Sequence, residues 1–375
     1  MILVYFLLWR VFDFLVIFFS QRIIPYLGFF PYRDQLPGFN LPNWISALAN
    51  FDGLHYIFIA RDGYAQYEQA FFPLYPLTIK WLSPIFSNNM LLTGIIISNI
   101  AFLIGITIFF RSYKDGKWLV FFLLAFPISF FFGAVYTEGL FFLLIVSTLY
   151  FLKKNNYLLV IIFAFLASLT RLVGVFLIIP ILFHLIQKPH LRRGFGGQAK
   201  VKSLLILSPL LGLGLYCFYL FKTTGDPFFF LTSQPIFGAN RSSHLIFLPQ
   251  VYWRYLKIFF TANWDFRYSV SIIEFSFFSF VLIILILDLI KNHIPIKSGK
   301  NYDLIGLNLF SFANLILPTL TGTFSSIPRY VLFSLSFFIY ISQIKNTVVK
   351  YLIMGIFLIF HVILLGYFSQ GYFVS

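Results

Sequence analysis

Long apolar runs, broken by short basic punctuation, dominate the chain. Read against that punctuation they predict eleven membrane spans, at about 2–24, 91–110, 118–135, 138–152, 157–169, 172–187, 203–221, 270–290, 303–320, 329–344 and 349–369. The physical reason is length: crossing a hydrocarbon core about 30 Å thick takes roughly 20 apolar residues in a helix. Several of the runs are shorter, which predicts tilted, broken or re-entrant helices. Residues 157–187 have no hydrophilic break except Thr170-Arg171, yet both flanks are basic, Lys153-Lys154 before and Lys188 to Lys202 after. A single helix would put one basic loop on the wrong side, so a hairpin with Arg171 at its tip is expected.

Two connections are long, about 25–90 and 222–269. The first is punctuated by Pro25, Pro31, Pro37 and Pro42, then by Pro73, Pro76 and Pro84. Between those clusters, NWISALANFDGLHYIFIA carries Trp44, Leu48, Phe51 and Leu54 or His55 at helical period, predicting an amphipathic helix lying along the membrane interface. No repeat divides the chain, and the expectation is a single integral membrane domain over 1–375.

Composition sharpens this picture. The 375 residues are 60% hydrophobic, 22% aromatic and only 10% charged, against about 25% charged in soluble domains. The fold class is therefore an all-α polytopic membrane protein. A net charge of +15 would point to nucleic acid in a soluble chain; here the positive-inside rule accounts for much of it, and no nucleic-acid partner is expected. With the N-terminus inside, the loops 111–117, 153–156, 188–202, 291–302 and 345–350 gather fifteen of the 27 Lys and Arg. That places Lys114, Arg193 and Lys297 in the cytoplasm and Tyr64 outside. Asp34, Asp52, Asp62, Glu68, Glu138, Asp226, Asp265 and Glu274 then fall on the outer side. The opening MILVYFLLWRVFDFLVIFFSQR lacks a basic start and a small-residue cleavage pattern, and reads as a retained span rather than a signal peptide.

Other chemistry is sparse. Cys217 stands alone in an apolar run, so no intrachain disulfide forms, and a small buried side chain is the plain expectation. His55, His184, His190, His244, His293 and His361 show no metal-ligand spacing, and no metal or cofactor is expected. The Gly212-Leu213-Gly214 run lies mid-span, where small residues let helices pack closely. Asn240-Arg241-Ser242 is a formal glycosylation sequon.

The polar exception is the stretch 51–77, FDGLHYIFIARDGYAQYEQAFFPLYPL, with Asp52, His55, Arg61, Asp62 and Glu68 close together. On a helix Asp52 and His55 share a face and Tyr56 adjoins it. A carboxylate there is able to take a proton from a sugar hydroxyl; the plainer alternative is an acid solvated by headgroups. Glu138, Arg171 and Arg329 sit at the outer ends of predicted spans, where ionisable groups are costly and tend to face a cavity or a partner. Arginine suits a phosphate through its planar fork. Snorkelling explains any one of these residues singly, but three on one side are harder to explain so.

The same stretch resembles the hallmark of PIG-V-type (GPI mannosyltransferase II-like) membrane mannosyltransferases. The match runs through Asp52-Gly53, His55, Gly63-Tyr64, Glu68 and Ala70 to Pro76. Weaker echoes follow in order at Tyr136-Thr137-Glu138, Thr170-Arg171 with Gly174, Gly225-Asp226-Pro227 and Pro328-Arg329-Tyr330. Phe51 replaces the usual Trp, and Leu172-Val173 stand where polar residues often follow the Arg. The resemblance implies a GT-C glycosyltransferase bundle with a polyprenyl- or dolichyl-phosphate sugar donor, and a glycolipid or glycan acceptor. It also implies Asp52 as catalytic base, with Arg171, Arg329 and Arg267 on the donor phosphate and His55, Arg61, Glu68 and Glu138 supporting. The expected location is a prokaryotic plasma membrane, or the endoplasmic reticulum in a eukaryote. Two readings compete: a transporter or flippase for a lipid-linked sugar, and a GT-C enzyme of another subfamily.

Overall fold

The computed structural model describes residues 1–27, 33–113, 116–187, 197–234, 242, 244–293 and 302–374. Among these the chain is helical throughout, with no strand. In order the helices are α1 (Ile2–Ile23), α2 (Asn43–Ser46), α3 (Asp52–Asp62), α4 (Leu74–Leu82), α5 (Met90–Ser112) and α6 (Gly116–Ala125). Then come α7 (Glu138–Lys153), α8 (Tyr157–Thr170), α9 (Ile178–Gln187), α10 (Gly197–Thr224), α11 (Phe229–Thr232) and α12 (Leu248–Thr261). The chain ends with α13 (Phe266–His293), α14 (Tyr302–Ile316), α15 (Ile327–Val331), α16 (Leu335–Ser342) and α17 (Thr347–Ser369). Lys114, Arg193 and Lys297, expected in the cytoplasm, lie outside the described residues, as do His190 and Asn240-Arg241 of the sequon.

Among the described residues six helical segments are long and apolar enough to cross a membrane: Ile2–Ile23, Met90–Ser112, Val201–Thr224, Phe266–Lys291, Tyr302–Thr321 and Thr347–Ser369. They coincide with six of the expected spans. The other five expected spans are shorter or interrupted, each for a visible reason. Pro127 follows α6, and a tight 3-10 turn over Ser129–Gly133 replaces regular helix before α7. In the 329–344 run, α15 stops at Val331 and α16 starts at Leu335. At Arg171 the backbone is extended, φ −153° and ψ 145°, which ends α8. Gly174 then folds back against Ala167 and Ser168 so closely that a Cβ there would collide with their backbone. Residues 157–187 are thus two helical arms broken at Arg171, not one long helix.

Asparagine N-caps start three helices by taking a backbone N–H that the first turn leaves unpaired. Asn89 accepts from Leu92, Asn156 from Leu159 and Asn346 from Val348 and Val349.

The chain divides into two compact units, Met1–Val146 with Ile341–Val374, and Ser147–Tyr340. In the first, α1 packs on α17 and α5 on α4 and α6. An aromatic cluster fills it, with Phe102 stacked on Phe132 at 4.1 Å and flanked by Trp9 and Phe142. In the second, α8 packs along α10 and α9 along α14. Both contacts are close because a glycine faces the partner helix: a Cβ on Gly212 would strike Ser168 and Phe165, and one on Gly306 would strike Phe183. In lipid, where no solvent drives helices together, such close approach is the main source of attraction. Cys217, on α10, is half-buried.

The expected interfacial helix over NWISALANFDGLHYIFIA takes a different form. It breaks at Asn50-Phe51 into α2, a 3-10 turn and α3, and Leu48, Leu54 and Ile57 are fully buried. Of its apolar stripe, Leu48 and Leu54 face the protein's own core, while Trp44 and Phe51 are half-buried.

Candidate active site

The start of α3 is fixed from two sides of the first unit. The Val135 N–H donates to the Leu48 carbonyl at 3.0 Å, and the Tyr136 hydroxyl to the Asn50 carbonyl at 2.6 Å. The Asn50 amide in turn donates to the carbonyl of Phe368, at the end of α17, at 2.9 Å. Gly53 lies so near the Val135 carbonyl that a Cβ would sit 3.2 Å from its oxygen. Between these anchors Phe51 takes φ +59°, a conformation a bulky side chain adopts only at a cost of about 1–3 kcal/mol. Its ring contacts Phe368 and Phe373. The strained step turns the chain abruptly and delivers Asp52 to the first turn of α3, half-exposed while Asn50 is buried. The partial positive charge of a helix N-terminus suits a carboxylate placed there.

One helical turn on, the His55 Nδ1 lies 3.0 Å from Glu68 Oε1, and Glu68 Oε2 accepts the Ala65 N–H at 3.0 Å. The His55 ring stacks on Phe71 at 5.1 Å. The Glu68 contact and the Phe71 stack together fix the imidazole in both position and tilt. Left-handed backbone at Gly63 and Tyr67, φ 87° and 73°, bends the loop so that Glu68 returns to α3. Arg61 turns elsewhere: its Nε reaches Asp62 Oδ2 at 2.9 Å in an exposed pair worth at most about 1 kcal/mol. The Tyr64 hydroxyl donates to the Phe71 carbonyl at 2.7 Å.

Behind α3 stands a wall of buried hydroxyls. The Tyr75 hydroxyl donates to the Gly94 carbonyl at 2.9 Å and meets Ser98 Oγ at 2.8 Å, and Ser98 donates to the Tyr136 carbonyl at 3.0 Å. Burial pushes the Tyr75 phenol far above its ordinary value, so it stays a proton donor. Tyr56 presents its ring edge-on to both Tyr75 and Tyr136. Glu138 opens α7 fully buried, and the Thr137 hydroxyl reaches its Oε2 at 3.5 Å.

The expected phosphate-binding arginines belong to the second unit. The Arg171 guanidinium lies over the rings of Tyr330 and Phe333, at 5.0 and 5.2 Å. Stacking engages the face of a guanidinium, while a phosphate is recognised by its N–H edge. Arg329, next to Tyr330, is buried in α15, which starts after Ser326 at φ +64°. The Asn314 amide holds the Tyr330 carbonyl at 2.7 Å. Arg171 thus packs on the ring of the residue that follows Arg329 in the chain. Arg267 stands apart, exposed in the first turn of α13, and among the described residues no hydrogen bond or ion pair engages its guanidinium.

The structure therefore places Asp52, His55, Glu68 and Glu138 in the first unit, sends Arg61 to Asp62, and places Arg171, Arg267 and Arg329 in the second unit. Tyr75 and Tyr136 fall within segments that carry the resemblance, though without a role of their own there, while Asn50 and Ser98 are additions of the structure. Of these two only Asn50 carries a sequence signal, a turn-forming residue directly before Phe51-Asp52-Gly53. Among the described residues no group of three His, Cys, Asp or Glu side chains is placed to hold a metal.

These observations define an all-helical multi-pass membrane protein. No family model matches the chain, and no solved structure matches it. A stretch of 115 residues, 30% of the chain, is 33% identical to the potassium-transporting ATPase potassium-binding subunit of Leptospira interrogans. The chain spans only 17% of that protein's length, so the likeness is local.

Proposed function

We propose that the protein is a membrane glycosyltransferase of the GT-C type. It moves a hexose, mannose by resemblance, from a polyprenyl- or dolichyl-phosphate donor to a glycolipid or glycan acceptor on the extracytoplasmic side. The observation that carries the reading is the start of α3: a strained, doubly anchored turn holds a half-exposed carboxylate in front of buried polar groups. Strain of this kind persists only where surrounding structure enforces it, and it concentrates at functional sites.

In the proposed reaction Asp52 takes the proton of an acceptor hydroxyl. The acceptor oxygen bonds to the anomeric carbon as the bond from that carbon to the donor phosphate oxygen breaks, and polyprenyl phosphate leaves. One displacement inverts the anomeric centre. By the resemblance alone, Arg171 and Arg329 are assigned to the leaving phosphate, whose developing charge a guanidinium stabilises. His55, fixed by Glu68, orients the acceptor beside Asp52, and Glu138 supports the segment behind it. The short helices α6 to α9, α15 and α16 complete the expected eleven crossings as broken or tilted elements, which a GT-C bundle accommodates wherever the irregular backbone lines a cavity.

A transport reading draws some support from the local likeness to a potassium-binding membrane subunit. The two readings separate cleanly, because a transporter forms no glycosidic bond. Purified protein in lipid nanodiscs, given radiolabelled polyprenyl-phosphate mannose and a panel of glycolipid acceptors, is expected to yield labelled glycolipid. Intact donor across the whole panel, from a well-folded preparation that binds it, contradicts the proposal.

A further inference from the structure

Helix α12 is 14 residues long, too short to span, and it belongs to no part of the proposed site. It folds back along the first half of α13 through three tyrosine contacts. The Tyr268 hydroxyl donates to the Phe259 carbonyl at 3.4 Å, Tyr255 donates to Glu274 Oε2 at 2.7 Å, and Tyr252 meets Ser279 Oγ at 2.9 Å. Because α13 is long and apolar enough to cross a bilayer, a helix laid against its residues 268–279 sits at the depth of one leaflet.

The side of α12 turned away from α13 is apolar and exposed. Trp253, Leu256 and Phe260 follow one another at helical spacing and are 59%, 38% and 87% exposed, and Trp264 beyond the helix is 88% exposed. Such a stripe is costly in water and natural in lipid. Its border is basic: Lys257 lies over the Trp253 ring at 5.7 Å, and Arg267 is exposed at the start of α13. Tryptophan with lysine or arginine at a helix end is the composition of the headgroup zone, and the two cations suit phosphate.

We propose that α12 is a half-membrane helix docked on phospholipid. Its stripe rests on acyl chains of the leaflet that receives the N-terminus of α13, with an anionic headgroup at Lys257. The docked helix also holds a neighbouring segment. The Tyr255 hydroxyl accepts the Phe324 N–H at 3.0 Å, Arg254 donates to the Gly322 carbonyl at 3.2 Å, and Ile246 N–H donates to the Leu320 carbonyl at 2.9 Å. That segment leads into α15 and Arg329. The inference stands on α12 alone and does not require the transferase reading.

The full chain, with Cys217→Ser as background and single cysteines at Trp253, Leu256, Phe260 or Thr261, is spin-labelled in nanodiscs of equal phosphatidylethanolamine and phosphatidylglycerol. Labels at 253, 256 and 260 should be relaxed by oxygen more than by a water-soluble nickel chelate, with the reverse at 261. Chelate dominance along the whole stripe overturns the proposal. So does dipolar broadening that vanishes on dilution with unlabelled protein, which would assign the stripe to a second copy of the chain. Separately, Lys257→Glu should cut retained phosphatidylglycerol relative to phosphatidylethanolamine about fivefold, the effect of roughly one basic residue at an anionic surface. An unchanged ratio in monodisperse protein overturns the headgroup assignment.

Discussion

Two histidine–carboxylate pairs in the first unit look alike on paper and differ in what surrounds them. His361 Nε2 lies 2.8 Å from Asp13 Oδ1, both side chains are fully buried, and Arg10 Nη1 donates to Asp13 Oδ2 at 2.8 Å. The His361 Nδ1 faces two acceptors at 3.2 Å, the Phe126 carbonyl and Ser129 Oγ, whose own proton goes to the Leu124 carbonyl. Both ring nitrogens of His361 are thus engaged, and the two Asp13 oxygens are divided between His361 and Arg10. This closed cluster ties α1 to α17 and to the 126–133 turn, with no surface for a substrate. His55 and Glu68 are 19% and 9% exposed and lie one helical turn from a half-exposed acid. An ion pair in a membrane protein is therefore not a site by virtue of its charges; access and a strained, enforced backbone distinguish the second pair from the first.

The sharpest way to break this comparison is to open the closed cluster. Removing one partner of a buried ionic group leaves an uncompensated charge and costs about 3–5 kcal/mol. Asp13→Ala should accordingly lower the thermal unfolding midpoint strongly in nanodiscs. A normal midpoint with lost sugar transfer would invert the assignment and make the buried cluster the functional one. Next in size, Arg171→Ala or Arg329→Ala should weaken donor use roughly tenfold or more, since a charge-assisted contact is worth about 1.5–3 kcal/mol. Lysine should rescue only in part because it lacks the planar fork. Unchanged donor kinetics in both alanine variants would remove these residues from the site. Smallest is Glu68→Gln, which keeps a hydrogen bond to His55 and loses its charge. Stability should fall by about 1 kcal/mol and transfer by less than tenfold, and a loss as large as that of Asp13→Ala would show the His55 pair to be structural too.

Much of the helical scaffold was legible in the chain because its signals are local. Unbroken apolar runs located the six long helices, Thr170-Arg171 marked the break in 157–187, and Gly212 marked a close helix contact. The site was legible as a stretch but not as a geometry. Nothing in the pattern foretold that Phe51 would take a positive φ, since that conformation is imposed by Val135, Tyr136 and Phe368 from far along the chain. The helical period of residues 43–60 predicts one interfacial helix, whereas the structure breaks it at Asn50-Phe51 and buries Leu48, Leu54 and Ile57, because periodicity cannot tell a lipid surface from a protein core. The same limit hid α12, whose stripe is exposed. The cluster of Arg10, Asp13 and His361 is illegible for a simpler reason: single polar residues inside apolar runs carry no signal of their mutual contact.

If Asp52 is the base in sugar transfer, its carboxylate is needed for the chemistry and not for donor binding. Wild type and Asp52→Asn, matched for folding in the same nanodiscs, are measured for donor binding and for transfer from polyprenyl-phosphate mannose. Asparagine keeps the shape and hydrogen bonding but cannot accept the proton. Donor binding should stay within a few fold while transfer falls by about 10²–10⁴, the usual loss for a positioned base. Full transfer by well-folded Asp52→Asn would contradict the account.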